Sequence, residues 1–479
     1  MKISDLQPEN VFRFFELISS VPHGSDNTSK ISELCCNFAL ERGLDYIQDD
    51  IGNVIIFKPG TQGYEDHEPV ILQGHMDMVT VKTPDSEKDL LTDGLDLVTD
   101  GEYLWADKTS LGADDGIALA MAMAVLDSND IPHPPIEAVF TINEETGMDG
   151  ANFIDTSVLR GRKMLNIDSE EEGIITVGCA GGARIGQCFS FKRESDNAFL
   201  LEVTIDGLTG GHSGNEIHKH RANALVQMGK LLSCIFNEAE DCRLISVNGG
   251  EADNAIARMA TAHISVRGYS PEKVNEILGE FRKHCSEKYN ETDPNICISV
   301  NYLGNKSVDT IPCDISTSII NALAENPDGV IKMSEEISGL VQTSINLGTV
   351  VTTNDELIIT RCLRSSVNAE KETVINEFER NAKNCEVRVA GRYPAWEYMP
   401  ESDLRSTAEK VFESLYGKAP IVTVIHAGLE CGLFSSKISG LDCISFGPDI
   451  PDIHTVNEKI NIASTERTYH FLLEVLKNL

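Results

Sequence analysis

The chain is poor in basic groups for its length: 40 Lys and Arg stand against 75 Asp and Glu over 479 residues, a formal net charge of −35. Such a charge repels phosphate backbones and anionic lipid at long range, so neither nucleic acid nor a membrane surface is an expected partner; its plain consequence is solubility. An uninterrupted apolar stretch of about 18 residues is missing, so no segment reads as a membrane span. The N-terminal M-K-I-S-D-L-Q-P-E-N has acidic residues and no basic region ahead of an apolar one, which argues against a secretory signal. The 13 Cys are scattered, odd in number and without a C-x-x-C pair. They read as reduced thiols of a cytoplasmic protein, mostly in cores, and not as a disulfide framework or a structural zinc site. Low-complexity segments and short repeats are absent as well.

What is present suits a globular protein, with 41% hydrophobic residues and a mean hydropathy of −0.15. The length is too great for one core, and about three domain-sized units are expected. Val11, Phe14, Phe15 and Ile18 recur at helical spacing and predict a helix from Pro8 to Ile18, with Asp5 and Pro8 as start signals. V-P-H-G-S, Val21 to Ser25, breaks it; a second helix over Ile31 to Glu41 ends at Arg42-Gly43. Gly52 to Phe57, Pro69 to Gln73, Ile136 to Ile142 and Lys163 to Ile167 read as strands, and Asp115 to Leu126 as an apolar helix. Strands alternating with helices predict an α/β sheet covered on both faces.

The stretch P-V-I-L-Q-G-H-M-D-M-V, Pro69 to Val79, ends an apolar run in glycine and then presents His75 and Asp77. A neutral imidazole is a good zinc ligand, and a carboxylate two residues on can fix its tautomer. Alone, an H-x-D triplet arises by accident in a chain with 12 His and 75 acidic residues. Four more potential ligands stand in similar settings: Asp114 before the apolar helix, Glu145 and Asp168 just past strands, and His454 near the C-terminus. In open α/β sheets functional groups gather outside the carboxyl ends of strands, so residues this far apart in sequence can converge. Together they suggest a two-metal hydrolase. Glu144-Glu145 is by itself an ordinary exposed pair. Next to two ions, one carboxylate would bind metal and its neighbour would take a proton from the attacking water. Asp114-Asp115 also fits a helix N-cap.

H-M-D, G-A-D-D-G, N-E-E-T-G, N-I-D-S-E-E-E-G and D-I-H-T-V-N-E, in this order, resemble the five metal-site motifs of the M20 metallopeptidases. V-P-H-G-S, G-C-A-G-G (Gly178 to Gly182), G-G-H-S-G (Gly210 to Gly214), H-A-G-L-E-C-G (His426 to Gly432) and S-F-G-P (Ser445 to Pro448) are similar to its aminoacyl-histidine dipeptidase branch. The resemblance covers essentially the whole chain. It implies that Asp114 bridges two divalent ions, with His75 and Asp168 completing one and Glu145 and His454 the other. Zinc is the implied metal, and a donor set without thiolate would accept cobalt or manganese. Asp77 would orient His75, Glu144 would act as general acid and base, and His212 would donate to the oxyanion. Asn254, Arg364 and Gly428 would bind the substrate, with Arg361 an alternative to Arg364, and a surface-loop role, like that of His218 or His220, an alternative for His212.

The fold class implied is α/β: a zinc-peptidase-like catalytic domain with a mixed sheet flanked by helices, plus an inserted α+β lid. The motif positions give residues 1–183 and 393–479 to the catalytic domain and 184–392 to the lid, which in this family mediates dimerisation. A homodimer is therefore expected. Whether His212 serves its own site or the partner's stays open, because a long lid can mimic the partner within one chain. The implied activity is hydrolysis of unblocked dipeptides, Xaa-His included. A tripeptidase or aminoacylase of the same family, or a non-catalytic metal-binding scaffold, are the alternatives; Glu144 with Asp77 counts against the scaffold.

Overall fold

The computed structural model describes residues 3–239, 241–268 and 270–479. These form two compact units: Met1–Cys179 with Tyr398–Val424 and Leu429–Leu479, and Ala180–Glu397 with Ile425–Gly428.

The first unit is built on an eight-stranded mixed sheet in the order Asp45–Gln48, Val54–Lys58, Ile136–Thr141, Val70–His75, Lys163–Asn166, Asp442–Ser445, Ile174–Cys179, Ile421–Ile425. Val70–His75 runs parallel to both Ile136–Thr141 and Lys163–Asn166, and Asp442–Ser445 is parallel to the latter. Asp45–Gln48 with Val54–Lys58, Val54–Lys58 with Ile136–Thr141, and Asp442–Ser445 with Ile174–Cys179 are antiparallel. Val70–His75 and Ile136–Thr141 are buried at every position, as their apolar runs require. The helix Ala113–Asp127 is buried from Ala113 to Leu126, which explains why it is apolar on all sides. Glu9–Ser19 and Ser29–Arg42 are the two N-terminal helices, and Gly43 ends the second in the left-handed conformation, at φ 63°. Every predicted element up to Asp168 is found within a few residues of its expected limits. The strand Asp45–Gln48 was not foreseen; nor was a small sheet of Leu97–Thr99, Tyr103–Ala106 and Lys459–Asn461.

The second unit is α+β. Its nine-stranded sheet runs Cys297–Thr310, Glu194–Asp206, Ala260–Arg267, Asp241–Gly249, Val341–Thr352, Glu356–Ser365, Gly181–Ser190, Glu386–Tyr393, with Gly329–Met333 beside Val341–Thr352, and every pair is antiparallel. Asp241–Gly249 and Val341–Thr352 meet through the pair Gly249 and Val350. Helices Ala224–Glu238 and Cys313–Ala324 pack Leu225, Leu232, Ile319 and Leu323 onto one half of the sheet; Asn368–Arg380 packs Ile375 and Phe378 onto Ile185 and Leu363 of the other. A separate ribbon pairs Gly211–His212 with Ala255–Ile256.

Candidate metal centre

His75 is the last residue of the buried strand Val70–His75. A Cβ on Gly74 would stand 2.6 Å from both Ala118 Cβ and Asp115 Oδ2, so glycine is what lets the strand lie against the apolar helix. In that position the His75 N–H donates to Asp115 Oδ2 at 3.1 Å. The parallel neighbours deliver the next groups at the same edge: Glu144 and Glu145 follow Thr141, and Asp168 follows Asn166. Asp114 does not cap the helix. Its backbone is extended, at φ −82° and ψ 104°, and its carboxylate turns to two imidazoles.

Asp114 Oδ1 lies 3.2 Å from His75 Nε2, and Asp114 Oδ2 lies 3.1 Å from His454 Nε2. His75 Nε2 is also 3.4 Å from Asp168 Oδ1, and His454 Nε2 is 2.8 Å from Glu145 Oε1. Two sets result, His75–Asp114–Asp168 and Asp114–Glu145–His454, with potential ligand atoms within 4.8 Å of one another in each set, and Asp114 belongs to both.

Three of the candidate ligands, His75, Asp114 and Glu145, are held from behind. His75 Nδ1 donates to the main-chain oxygen of Asp77 at 3.0 Å, so Nε2 is the nitrogen turned toward the carboxylates. The Asp77 carboxylate, 3.6 Å from that Nδ1, accepts instead from Ser25 Oγ at 2.8 Å and from the N–H groups of Glu144 and Glu145 at 2.9 and 3.4 Å. One residue thus positions both the imidazole and the acidic pair. Two further buried acids, Glu458 and Glu430, stand outside the expected set. Glu458 accepts the N–H groups of Leu111, Gly112, Ala113 and Asp114. Buried Glu430 accepts from Thr141 Oγ1 at 2.6 Å and Gln73 Nε2 at 2.5 Å. The available signal was position: Glu458 lies in the His454 motif and Glu430 in H-A-G-L-E-C-G.

Electrostatically the cluster calls for cations. Burial disfavours charge on His75, yet Asp168 and Asp114 hold its ring well above the usual imidazole range, and Asp114 with Glu145 pushes His454 up to about 10. Burial, reinforced by Asp168, Glu430 and Glu145, holds the Glu144 carboxyl well above the usual carboxylate range; burial and Asp114 do the same to Asp168. Glu145 Oε1 is buried without an aligned hydrogen bond. Two imidazoles and three carboxylates without thiolate fit borderline divalent ions, whose charge would offset this crowding of anions.

In the second unit, the ribbon pairs His212 with Ala255, next to Asn254, and the Ser213 N–H donates to Asn254 O at 2.8 Å. His212 and Asn254 line a cavity of about 340 Å³. The N–H groups of Gly214 and Asn215 donate to His212 Nδ1 at 3.3 and 3.1 Å, which leaves the ring hydrogen on Nε2. Burial, then the Arg364 charge, holds His212 below the usual imidazole range and keeps it neutral. A Cβ on Gly214 would lie 2.7 Å from His426 O, so the G-H-S-G loop lies directly against Ile425–Gly428, the segment containing Gly428. Arg364 is 7% exposed, with Nε unpaired among the described residues and a 3.4 Å contact to the Tyr393 hydroxyl. Arg361 differs: wholly buried, it donates to Gln187 Oε1 at 2.5 Å and Ala322 O at 2.6 Å, tying strands to a helix.

A mixed α/β unit that gathers imidazoles and carboxylates at the ends of parallel strands is the architecture of a metal-dependent hydrolase. Residues 71–478 match the model of peptidase family M20/M25/M40, and the chain belongs to that family. It is 34% identical over 482 residues to the cytosol non-specific dipeptidase of Escherichia coli (strain K12), covering 100% of this chain and 99% of that protein. The crystal structure of aminoacylhistidine dipeptidase from Vibrio alginolyticus superposes with a TM-score of 0.92 at 34% identity, over 100% of this chain and 98% of that one. Aminopeptidase PepT from Bacillus cereus, at 16% identity and a TM-score of 0.57 over 98% of both chains, shares the fold.

Proposed function

We propose that the chain is a metal-dependent dipeptidase acting on short peptides with free termini, Xaa-His among them. The observation that carries this reading is Asp114, shared between two three-ligand sets, with Glu144 beside the ligand Glu145. Full-length similarity to two dipeptidases supports the substrate class. His75 and Asp168 would hold one divalent ion, Glu145 and His454 the other, and Asp114 both; zinc is the metal proposed, with cobalt or manganese able to replace it. Such ions, when bound, polarise a carbonyl and acidify water.

The residues of the chain do the rest. Glu144 takes the proton of the attacking water and returns one to the leaving amine, while Asp77 fixes its backbone. His212, neutral and carrying its hydrogen on Nε2, donates to the oxygen that becomes negative in the transition state. Arg364 and Asn254 bind the substrate carboxylate, and Gly428 lets the peptide lie close to the backbone. The second unit serves as lid and as the surface of a homodimer. The cytosolic relative and the many buried thiols support a cytoplasmic location. A panel of unblocked dipeptides, blocked dipeptides, tripeptides and N-acyl amino acids, each with and without chelator, tests this. Chelator-sensitive cleavage confined to unblocked dipeptides is expected; preference for tripeptides or N-acyl amino acids would replace the reading.

A further inference from the structure

The second unit contains a cavity of about 500 Å³ that shares only Ile256 with the lining of the one that holds Asn254, and its character is unusual for so acidic a chain. Lys230, Lys288, Arg221 and His220 all line it, against Asp328 as its one acidic wall residue. Lys230 comes from the helix Ala224–Glu238 and Lys288 from the last turn of Pro271–Tyr289. The two helices are fixed to each other where Gln227 Nε2 donates to the Tyr289 hydroxyl at 3.1 Å. Burial first, and the Lys288 charge second, lower the Lys230 ammonium, against the opposing pull of Asp328, and both lysines line the same cavity. Neither is in an ion pair among the described residues; Lys288 rests over the Tyr289 ring, 5.1 Å from its centroid. Neutral hydrogen-bonding groups, Asn223, Asn326 and Asn346, complete the polar lining, while Ile217, Ile256 and Val330 form an apolar wall. Two lysines outside any ion pair among the described residues, in a concave site of metabolite size, make a receptor for an anion.

Three lining residues connect this cavity to the ribbon carrying His212 and Asn254. Arg221 donates to Gly210 O and, at 3.0 Å, to Glu216 Oε1, and Glu216 Oε2 accepts the N–H of His212 at 3.1 Å. Asn346 Nδ2 donates to the main-chain oxygens of Asp253 and Ala255, on either side of Asn254, at 3.1 and 2.9 Å. Ile256 is itself a ribbon residue, paired with Gly211.

We propose that this cavity is a second binding site, for a small organic anion bearing a carboxylate or phosphoryl group held by Lys230 and Lys288, and that its occupancy shifts the His212–Asn254 ribbon through Arg221 and Asn346. The binding half stands on the cavity alone; the effect on turnover rests on the reading of His212 and Asn254 as substrate-side groups. Inorganic phosphate and succinate serve as probes, titrated by calorimetry into the metal-loaded protein and into a Lys230→Met/Lys288→Met variant. Saturable binding of at least one probe is expected, weakened tenfold or more in the variant and retained in Lys230→Arg/Lys288→Arg; phosphate alone would identify a phosphoryl ligand, succinate alone a carboxylate. No saturable binding, or equal binding by the Met variant, overturns the site. Dipeptide KM should change at least twofold with probe in the native protein and not in the Met variant; probe binding without that change overturns the coupling. Calorimetry needs no turnover, so an absence of dipeptidase activity would count against the function and leave the binding result standing.

Discussion

Glu458 holds Asp114 by its backbone. The two carboxylate oxygens receive four successive N–H groups, from Leu111 at 2.8 Å, Gly112 at 3.0 Å, Ala113 at 2.9 Å and Asp114 at 3.4 Å, and the residue is 3% exposed. Because Glu458 lies four positions beyond His454, a single side chain locks the loop of Asp114, common to both candidate ligand sets, to the segment bearing His454. Charge-assisted bonds of this kind are stronger than neutral ones.

Glu458→Gln should therefore weaken metal binding while the fold survives. An amide has one acceptor oxygen in place of two, and its NH2 would confront backbone N–H groups. Loss of an outer partner typically costs 10- to 100-fold in metal affinity. Competition titration with a chromophoric chelator, alongside circular dichroism, reads both quantities. Unchanged affinity would show that the loop holds its shape unaided.

Arg361→Met and Arg364→Met should separate cleanly. Removing Arg361 takes the side-chain donor from buried Ala322 O and leaves Gln187 Oε1 with Asn326 Nδ2 alone, at a cost of about 2 kcal/mol in urea unfolding, with KM unchanged. Removing Arg364 should leave stability within about 1 kcal/mol and raise KM for dipeptides tenfold or more, as expected when a charged substrate contact is lost. The reverse pattern would exchange their roles.

His426 supplies a pH dependence. Burial first, then Arg364 and His212, push its imidazole down to about 3 from 6.5; Ser344 Oγ lies 2.7 Å from its Nε2. The unfolded chain then binds the proton more readily than the folded one throughout the interval between those values. Stability is full above about pH 6.5 and falls as pH drops toward 3, by at most about 1.4 kcal/mol per pH unit from this group. Urea midpoints of native protein and His426→Gln, measured from pH 7 to 5, should converge on acidification. Parallel curves would exclude His426 as a source of acid sensitivity.

Much of this was legible in the chain because its signals were local. Apolar runs ending in glycine or asparagine marked Val70–His75 and Lys163–Asn166, and their parallel pairing carried His75, Glu144, Glu145 and Asp168 to one edge. Asp45–Gln48 was invisible since all four residues are exposed and show no alternation. Tyr103–Ala106 pairs with Lys459–Asn461, too distant in sequence for either short strand to announce the other. Arg361 and Arg364 could not be told apart because the answer depends on what covers each face of Glu356–Ser365, where they sit opposite Ile185 and Gly182. Asp77 was expected to act on His75 through its carboxylate, yet its main-chain oxygen makes the closer contact, a division no motif records.

The most direct test of the account is metal stoichiometry and turnover in Glu144→Gln beside Glu145→Gln. Glu145 belongs to a three-ligand set with Asp114 and His454, whereas Glu144 belongs to neither set. Glu144→Gln should bind two ions per chain and lose dipeptide turnover by roughly 10² to 10⁴-fold or more, the contribution of a positioned base. Glu145→Gln should bind fewer ions than the native protein under the same conditions. Two ions retained equally by both variants, or full turnover in Glu144→Gln, would contradict the division of labour on which the proposed mechanism rests.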